Sequence, residues 1–279
     1  MEKRQHHNLG VALSGGGVRG FAHVGALKAM NERGLYPEVI SGTSAGSLAG
    51  VFYADGYTPD EIYDLFKKIS FRDVANVSFF LKEGLFETKG IAVFLKKYLR
   101  AKRFEELKIP FYAVASDIEQ GKSHVFDKGD LIPAVIASCT VPIVFTPVEI
   151  DKRHYVDGGL FMNFPVSVIR KRCHTVIGVN VSPVTTMPYD KSFSYIIERT
   201  MSYMVGANTT EEQRLCDYLI ESKQISQYQT FDFKHIEKIY HIGYDMASVY
   251  LDANKRKIER DLYPSSIKKM HRRIKGLIR

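Results

Sequence analysis

Gly42-Thr43-Ser44-Ala45-Gly46 is the stretch on which the fold depends, because the pattern of apolar residues changes there from that of a strand to that of a helix. Residues 37–41 before it are short and β-branched and predict a strand, whereas residues 47–54 after it predict a helix. This is the strand-to-helix context of a G-x-S-x-G nucleophile elbow, in which the two glycines leave room for a strained turn. We therefore predict that Ser44 is a nucleophile. The alternative is that the pattern arises by chance and that Ser44 only caps the helix.

A second glycine-rich turn lies upstream of the first. Residues 9–13 form an apolar run of strand length, Ser14-Gly15-Gly16-Gly17-Val18-Arg19-Gly20 follows directly, and residues 21–33 have a helical pattern. The order strand, glycine loop, helix, strand, elbow, helix predicts a layered α/β fold with a parallel sheet. Because the carboxyl ends of neighbouring parallel strands meet in one crevice, we expect the glycine loop and Ser44 to face the same site.

Three interpretations are open for the glycine loop. Gly15-x-Gly17-x-x-Gly20 formally matches the dinucleotide-binding fingerprint, but a Rossmann unit also needs an acidic residue after its second strand, and Glu38 stands before the end of that strand. The amides of residues 15–17 can instead converge on one oxyanion. Arg19 would add positive charge behind them, or serve as a structural ion-pair partner. A tight turn that binds no ligand is the third interpretation.

A serine nucleophile needs a base, and the candidates are the nine histidines and the acidic residues at strand ends. No motif surrounds any of the histidines, and we favour Asp157. Residues 144–150 and 154–156 predict two strands around a turn, so that Asp157-Gly158-Gly159 lies at the end of the second strand. Burial beside an acyl site would raise the pKa of this carboxyl group above about 3.9 and make it a stronger base. Such a site predicts activity that tolerates the loss of any histidine. The alternative is that Asp-Gly only forms a turn.

The rest of the chain supplies further elements. Thr58-Pro59-Asp60-Glu61 is a capping box that begins a helix, and residues 71–87 are either a lid or a loop over the core. Residues 175–181 predict the last strand, and the pattern becomes helical from about residue 192.

In order and context, three stretches resemble the patatin-like phospholipases, in particular the short bacterial members: the glycine loop 14–20, the serine turn 42–46 and Asp157-Gly158-Gly159. The resemblance covers roughly residues 8–182 and implies a three-layer α/β/α fold with a mainly parallel central sheet. It also implies hydrolysis of fatty-acyl esters of phospholipids or lysophospholipids by a dyad of Ser44 and Asp157 without a histidine. The oxyanion hole would be built by the glycine loop, with Arg19. Three further pieces extend the match: Ala137-Ser138, Pro142 and Asn163-x-Pro165.

Other functions remain open from the sequence. An acyltransferase would use the same dyad with an acceptor other than water. A nucleotide-binding protein would instead use residues 15–20. A catalytically silent protein would only bind membranes.

Composition sets the general class of protein. With 279 residues, of which 45% are hydrophobic, the sequence predicts a globular chain, and no apolar run reaches the roughly 18 residues of a membrane-spanning helix. The polar start, residues 1–8, does not resemble a signal peptide. The three cysteines lack C-x-x-C spacing, so we expect a reducing compartment, no metal and no cofactor. We expect a cytoplasmic protein with a catalytic domain over residues 8–190 and a mostly helical region over 191–279 that packs on it.

Positive charge is concentrated in the C-terminal tail. Residues 255–279 contain ten Lys or Arg and two acidic residues, which accounts for the whole net charge of +8. Apolar residues recur at helical spacing in residues 264–279, and we expect this tail to contact the inner face of an anionic membrane peripherally. The alternative is that its apolar stripe packs on the protein. We expect no nucleic-acid partner, because the basic stretch lacks an aromatic platform beyond Tyr263. The oligomeric state stays open.

Overall fold

The computed structural model describes residues 6–68, 88–230 and 232–263. The predicted lid or loop, 71–87, and the basic tail, 264–279, lie outside the described residues. Within the described ranges, no helix has both the length and the apolar character needed to cross a membrane.

Within the described ranges, a mixed sheet of eight strands forms the centre of the protein. In chain order its strands are β1 (His7–Leu13), β2 (Val39–Thr43), β3 (Phe111–Asp117), β4 (Lys122–Phe126), β5 (Val148–Ile150), β6 (Arg153–Asp157), β7 (Cys173–Asn180) and β8 (Tyr218–Glu221). Across the sheet they lie in the order β5-β6-β3-β2-β1-β7-β8, with β4 paired to β3 outside this path. The five strands from β3 to β8 in that order are parallel, whereas β4 and β6 are antiparallel to β3. The predicted mainly parallel sheet is confirmed.

Helices cover both faces of this sheet. In chain order they are α1 (Phe21–Glu32), α2 (Ala45–Ala54), α3 (Pro59–Phe66), α4 (Lys89–Tyr98), α5 (Leu131–Ser138), α6 (Val166–Arg170), α7 (Phe193–Gln213) and α8 (Ile236–Leu262). Side chains alternate along β1, so that Val11 and Leu13 belong to the larger buried cluster and Ala12 belongs to a smaller one. Buried residues of α1 to α5 and α8 join the larger cluster, and those of α6 join the smaller one. The predicted α/β/α layering is confirmed.

Two predicted strands differ from the observed ones. The strand predicted over residues 175–181 is not the last one, because β8 follows it in the chain and pairs in parallel with β7 at the edge of the sheet. β8 is four residues long and lies between helical stretches, so no long apolar run marks it in the sequence. Its pairing is a tertiary contact that a local pattern does not indicate. The strand predicted over residues 144–150 begins only at Val148, after a turn in which Ile143 has φ +71°.

Candidate active site

Ser44 occupies the tight turn between β2 and α2. Its backbone has φ +53° and ψ −122°, a conformation that a residue with a Cβ adopts at a cost of about 1 to 3 kcal/mol. A Cβ on Gly42 would lie 2.5 Å from the carbonyl oxygen of Gly46, and a Cβ on Gly46 would lie 2.3 Å from that of Leu13. Close backbone contacts therefore require both glycines of the turn.

The side chain of Ser44 does not cap α2, since it makes no capping hydrogen bond. The main chain of this residue is fixed instead. Its N–H donates to Ser138 Oγ at 2.9 Å, and its carbonyl oxygen accepts from the N–H of Leu48 at 3.0 Å and from Cys139 Sγ at 3.3 Å. Ser44 therefore does not serve as a side-chain cap of α2, and the Ser44 hydroxyl is left for other contacts.

The glycine loop offers two amides rather than three. The N–H of Gly15 donates to the carbonyl oxygen of Asn163 at 2.9 Å, so it is already used. The amides of Gly16 and Gly17 have no acceptor within the described residues, and both glycines line the same crevice as the serine. Gly17 has φ +58°, and a Cβ there would lie 2.3 Å from the carbonyl oxygen of Thr230. Within the described residues, the loop amides left without an acceptor are therefore those of Gly16 and Gly17.

Contacts from two other parts of the chain hold the glycine loop in place. Ser182 Oγ donates to the carbonyl oxygen of Gly15 at 2.6 Å, and the N–H of Val181 donates to Ser14 Oγ at 2.9 Å. In α1, His23 Nε2 donates to the carbonyl oxygen of Ser14 at 2.7 Å. Burial lowers the pKa of His23 to about 4, so the ring is neutral at pH 7. Ser182 belongs to none of the sequence motifs, and only this contact identifies it.

Asp157 ends β6 in a fixed backbone setting. Its N–H donates to the carbonyl oxygen of Thr140 at 2.7 Å, and its carbonyl oxygen accepts from Ser116 Oγ at 3.0 Å. Its Oδ1 accepts from the N–H of Gly159 at 2.8 Å. Burial raises the pKa of the carboxyl group from 3.8 to about 6, and hydrogen bonding by the Ser44 hydroxyl and the Gly159 amide opposes part of this rise. The group therefore changes protonation close to neutral pH.

Ser44 lies where two cavities meet, and Gly17 and Val141 also line both of them. The first cavity, the apolar chamber, has a volume of about 430 Å³. The second, the Asp157 chamber, has a volume of about 490 Å³ and contains Asp157 and Gly16. The apolar chamber is lined mainly by aromatic and aliphatic side chains, among them Phe21, Leu48, Phe66, Ile91, Phe94 and Phe145. The serine and the carboxyl group thus open onto one crevice.

Arg19 lines the Asp157 chamber but is not a structural ion-pair partner. Its Nε donates to the carbonyl oxygen of Gly16 at 3.2 Å, and one Nη donates to Thr230 Oγ1 at 3.5 Å. Among the described residues, no carboxylate oxygen lies within 4 Å of its guanidinium group. Burial lowers the pKa of Arg19, and the charge of Glu198 opposes this change from a longer distance.

Asn163 is a polar residue of this site to which the sequence assigned no role. Its side chain lines the Asp157 chamber, it is 2% exposed, and its Nδ2 has no hydrogen-bond partner within the described residues. The Asn163 N–H donates to Asn208 Oδ1 at 2.8 Å, and a Cβ on Gly15 would lie 2.3 Å from Asn163 Oδ1. A buried amide donor without a protein partner is rare, so this N–H is free to donate to a group that enters the chamber. The spacing Asn163-x-Pro165 is the pattern that pointed towards this residue.

The dinucleotide interpretation lacks its ribose anchor. Glu38 precedes β2, at the end of the strand away from the glycine loop, and its carboxylate accepts from the N–H and Nδ2 of Asn8 at 2.9 and 3.1 Å. A Rossmann unit would need its acidic residue at the opposite, carboxyl end of this strand.

The sheet order and the serine turn define an α/β protein with a G-x-S-x-G turn at the carboxyl end of its second strand. A family model, the patatin-like phospholipases, matches residues 11–169, more than half of the chain. The protein therefore belongs to the patatin-like phospholipase family. The match contains the glycine loop, the serine turn and Asp157.

Curated relatives are similar at modest identity. Lysophospholipase NTE1 of Saccharomyces cerevisiae is 26% identical over 275 residues, which cover 87% of this chain and 16% of the yeast protein. An uncharacterized protein of Bacillus subtilis, YqhO, is 32% identical over 204 residues, which cover 61% of this chain and 70% of that protein. The crystal structure of VipD from Legionella pneumophila has a TM-score of 0.57 at 14% identity, over 89% of this chain and 67% of that chain. This last likeness concerns the fold alone. The chain spans about a sixth of the length of the yeast relative.

Proposed function

We propose that the protein is a serine acyl hydrolase that cleaves fatty-acyl esters of phospholipids or lysophospholipids through an acyl-Ser44 intermediate. Family membership and the similarity to a yeast lysophospholipase support a lipid ester as the substrate. One observation carries the proposal: the strained, uncapped Ser44 and the buried carboxyl group of Asp157 line one chamber.

In the first half of the reaction Asp157 acts as the base. Its carboxylate accepts the proton of the Ser44 hydroxyl while Oγ attacks the carbonyl carbon of the ester. The amides of Gly16 and Gly17 donate to the carbonyl oxygen as it becomes negative. The bond to the alcohol then breaks, and Asp157 gives the proton to the leaving oxygen. The acyl group remains on Ser44.

In the second half a water molecule takes the place of the alcohol. Asp157 accepts one proton from this water, whose oxygen attacks the acyl carbon, and the proton passes to Ser44 Oγ as the fatty acid leaves. A carboxyl group with a pKa of about 6 is mostly ionised at pH 7 and is still more basic than an exposed aspartate. A carboxylate with this pKa can act as the general base without a histidine.

We assign the acyl chain to the apolar chamber. Aromatic and aliphatic side chains make up most of its lining, with Lys68 and Lys97 among the rest, and each buried methylene contributes about 0.8 kcal/mol to binding. Lengthening the acyl chain should therefore increase kcat/KM until the chamber is filled.

We also assign Asn163 Nδ2 to the substrate. It is a buried donor in the chamber that holds Asp157, and no described residue accepts from it. In this proposal it donates to an oxygen of the reacting ester or to the attacking water.

A fluorophosphonate probe and a panel of lipid esters test this proposal. The wild type should be labelled and should release fatty acid, and Ser44→Ala should do neither. Asp157→Asn should slow hydrolysis by about 100- to 10,000-fold, the usual contribution of a general base. Ser47→Ala is the matched control, because Ser47 is likewise a buried serine and lies three residues further on, in α2. Labelling and hydrolysis that persist in Ser44→Ala would exclude the proposed nucleophile.

Acyl transfer is the second candidate function. The Asp157 chamber, at about 490 Å³, has room for an acceptor alcohol as well as for water. Product analysis with and without added glycerol distinguishes the two, since a transferase would form a new ester.

We further propose that the protein acts in the cytoplasm and that residues 264–279 bring it to an anionic membrane. Six Lys or Arg within residues 264–279, with no acidic residue among them, support this tail as an electrostatic contact. Deletion of residues 264–279 should weaken binding to vesicles that contain phosphatidylglycerol and spare hydrolysis of p-nitrophenyl butyrate. Unchanged vesicle binding would contradict this role of the tail.

A further inference from the structure

The Asp157 chamber has a wall that the family match does not reach. Residues between 182 and 205 and between 226 and 230 line it, whereas the family model ends at residue 169. Two guanidinium groups lie in this chamber, that of Arg19 in the glycine loop and that of Arg199 in α7. The C-terminal part of the chain therefore contributes to the charge inside the Asp157 chamber.

Arg199 is a buried cation with donors to spare. It is 9% exposed. Its Nη2 donates to the carbonyl oxygen of Thr185 at 3.0 Å and to the hydroxyl of Tyr203 at 2.6 Å, and its guanidinium carbon lies 4.5 Å from the centre of the Tyr203 ring. These contacts fix the plane of the group. Its Nε and Nη1 have no acceptor within residues 6–68, 88–230 and 232–263, so a ligand can use their N–H groups.

Neither guanidinium group has a carboxylate partner within 4 Å in the described part of the chain. Three acidic residues also line the chamber. Asp157 is the proposed base, Glu198 acts on Arg19 only from beyond that distance, and the exposed Asp190 accepts from the N–H of Ser192 at 2.6 Å. A buried cation without a directly bound counter-ion is unfavourable, which indicates that an anionic group completes this chamber.

The proposed chemistry fixes which half of the substrate lies here. Asp157 gives its proton to the leaving alcohol, so this alcohol must lie on the Asp157 side of Ser44. The acyl chain then extends to the opposite side, into the apolar chamber. An anion bound by Arg199 is accordingly part of the leaving alcohol.

We propose that the Asp157 chamber binds a phosphate group carried by the leaving alcohol, and that Arg199, together with Arg19, donates to its oxygens. A guanidinium group suits this role because it stays charged and its remaining Nε and Nη1 N–H groups can donate to phosphate oxygens. The inference rests on the proposed hydrolase function and deepens it. It predicts that phosphate-bearing acylglycerols are better substrates than neutral acylglycerols with the same acyl chain.

Two substrates that differ in the phosphate-containing headgroup test this subsite. These are lysophosphatidylcholine and monoacylglycerol of one acyl chain, both kept below their micelle concentrations. Arg199→Met should lower kcat/KM for the phospholipid by about tenfold or more, the usual effect of losing a charged hydrogen bond, and change it less than about twofold for the neutral ester. Arg214→Met is the matched control, because Arg214 follows the same helix with 70% of its side chain exposed and should affect neither substrate.

An inhibition assay gives an independent readout. Glycerol 3-phosphate should inhibit hydrolysis of p-nitrophenyl butyrate by the wild type, glycerol should not, and Arg199→Met should abolish the difference. Arg199→Lys, which keeps the charge, should restore part of the inhibition. An equal loss for both lipids in Arg199→Met would show a structural role and overturn the subsite. A wild type that hydrolyses the butyrate ester but is not inhibited by glycerol 3-phosphate would also overturn it, and would leave the hydrolase proposal standing.

Discussion

Replacing Asp157 with asparagine should stabilise the protein while it removes the proposed base. Burial raises the pKa of this carboxyl group from 3.8 to about 6. Because each tenfold change in proton affinity corresponds to about 1.4 kcal/mol, the ionised group costs roughly 3 kcal/mol of folding free energy above pH 6. Asparagine has nearly the same shape, carries no charge and can still accept from the Gly159 N–H, so it avoids this cost.

The sign of the effect follows from the raised pKa in the folded state. Below about pH 3.8 the carboxyl group is protonated in both the folded and the unfolded state, and Asp157→Asn should change stability little. Between pH 3.8 and about pH 6, the wild type loses the stabilisation that the neutral carboxyl group gives to the folded state, and the variant does not. The advantage of the variant should therefore grow from near zero to roughly 3 kcal/mol across this window.

Urea unfolding followed by circular dichroism, at pH 4 and at pH 8, measures this difference. Comparing the two proteins at each pH cancels the titration of the other groups. A variant that is no more stable than the wild type at pH 8, or whose advantage is the same at both pH values, would refute the view that burial makes Asp157 basic.

Three further predictions concern the same site. The kcat/KM for p-nitrophenyl butyrate should fall about tenfold per pH unit below a limb near pH 6, and a profile that is flat down to pH 4.5 would exclude Asp157 as the base. Ser44→Gly should be about 1 kcal/mol or more stable than Ser44→Ala in urea unfolding, because glycine relieves the backbone strain at φ +53°; equal stabilities would contradict that strain. Asn163→Ala should lower kcat about tenfold or more with a melting temperature close to that of the wild type, since its Nδ2 has no partner within the described residues, and an unchanged kcat would remove Asn163 from the reaction.

Much of the fold follows from local sequence. The strand, glycine turn and helix order near residues 9–54 predicts the parallel centre of the sheet, and the capping box at Thr58 forms as expected, with the N–H of Thr58 donating to Glu61 Oε2 at 2.7 Å. β8 is missed because four residues carry too little pattern and because its pairing depends on β7. Local pattern therefore predicts the elements that begin the chain better than the one that completes the edge.

The site is predicted only in part for a similar reason. The motifs indicate the serine turn, the glycine loop and Asp157, since these need particular residues at fixed spacing. They do not indicate that the main-chain carbonyl oxygen of Asn163 accepts from the N–H of Gly15, which leaves the amides of Gly16 and Gly17 available. Ser182 and Arg199 reach the site from segments outside the family match, and nothing in their local sequence marks them. Contacts between distant segments become visible only in three dimensions.

Trapping the covalent intermediate tests the central proposal most directly. The protein would be mixed with a lysophospholipid, quenched in acid within one turnover, digested and analysed by mass spectrometry. We predict one acyl group on the peptide that contains Ser44 in the wild type, and none in Ser44→Ala. Fatty acid released by the wild type with no acylated Ser44 peptide, or with the acyl group on another residue, would contradict a mechanism in which Ser44 is the nucleophile.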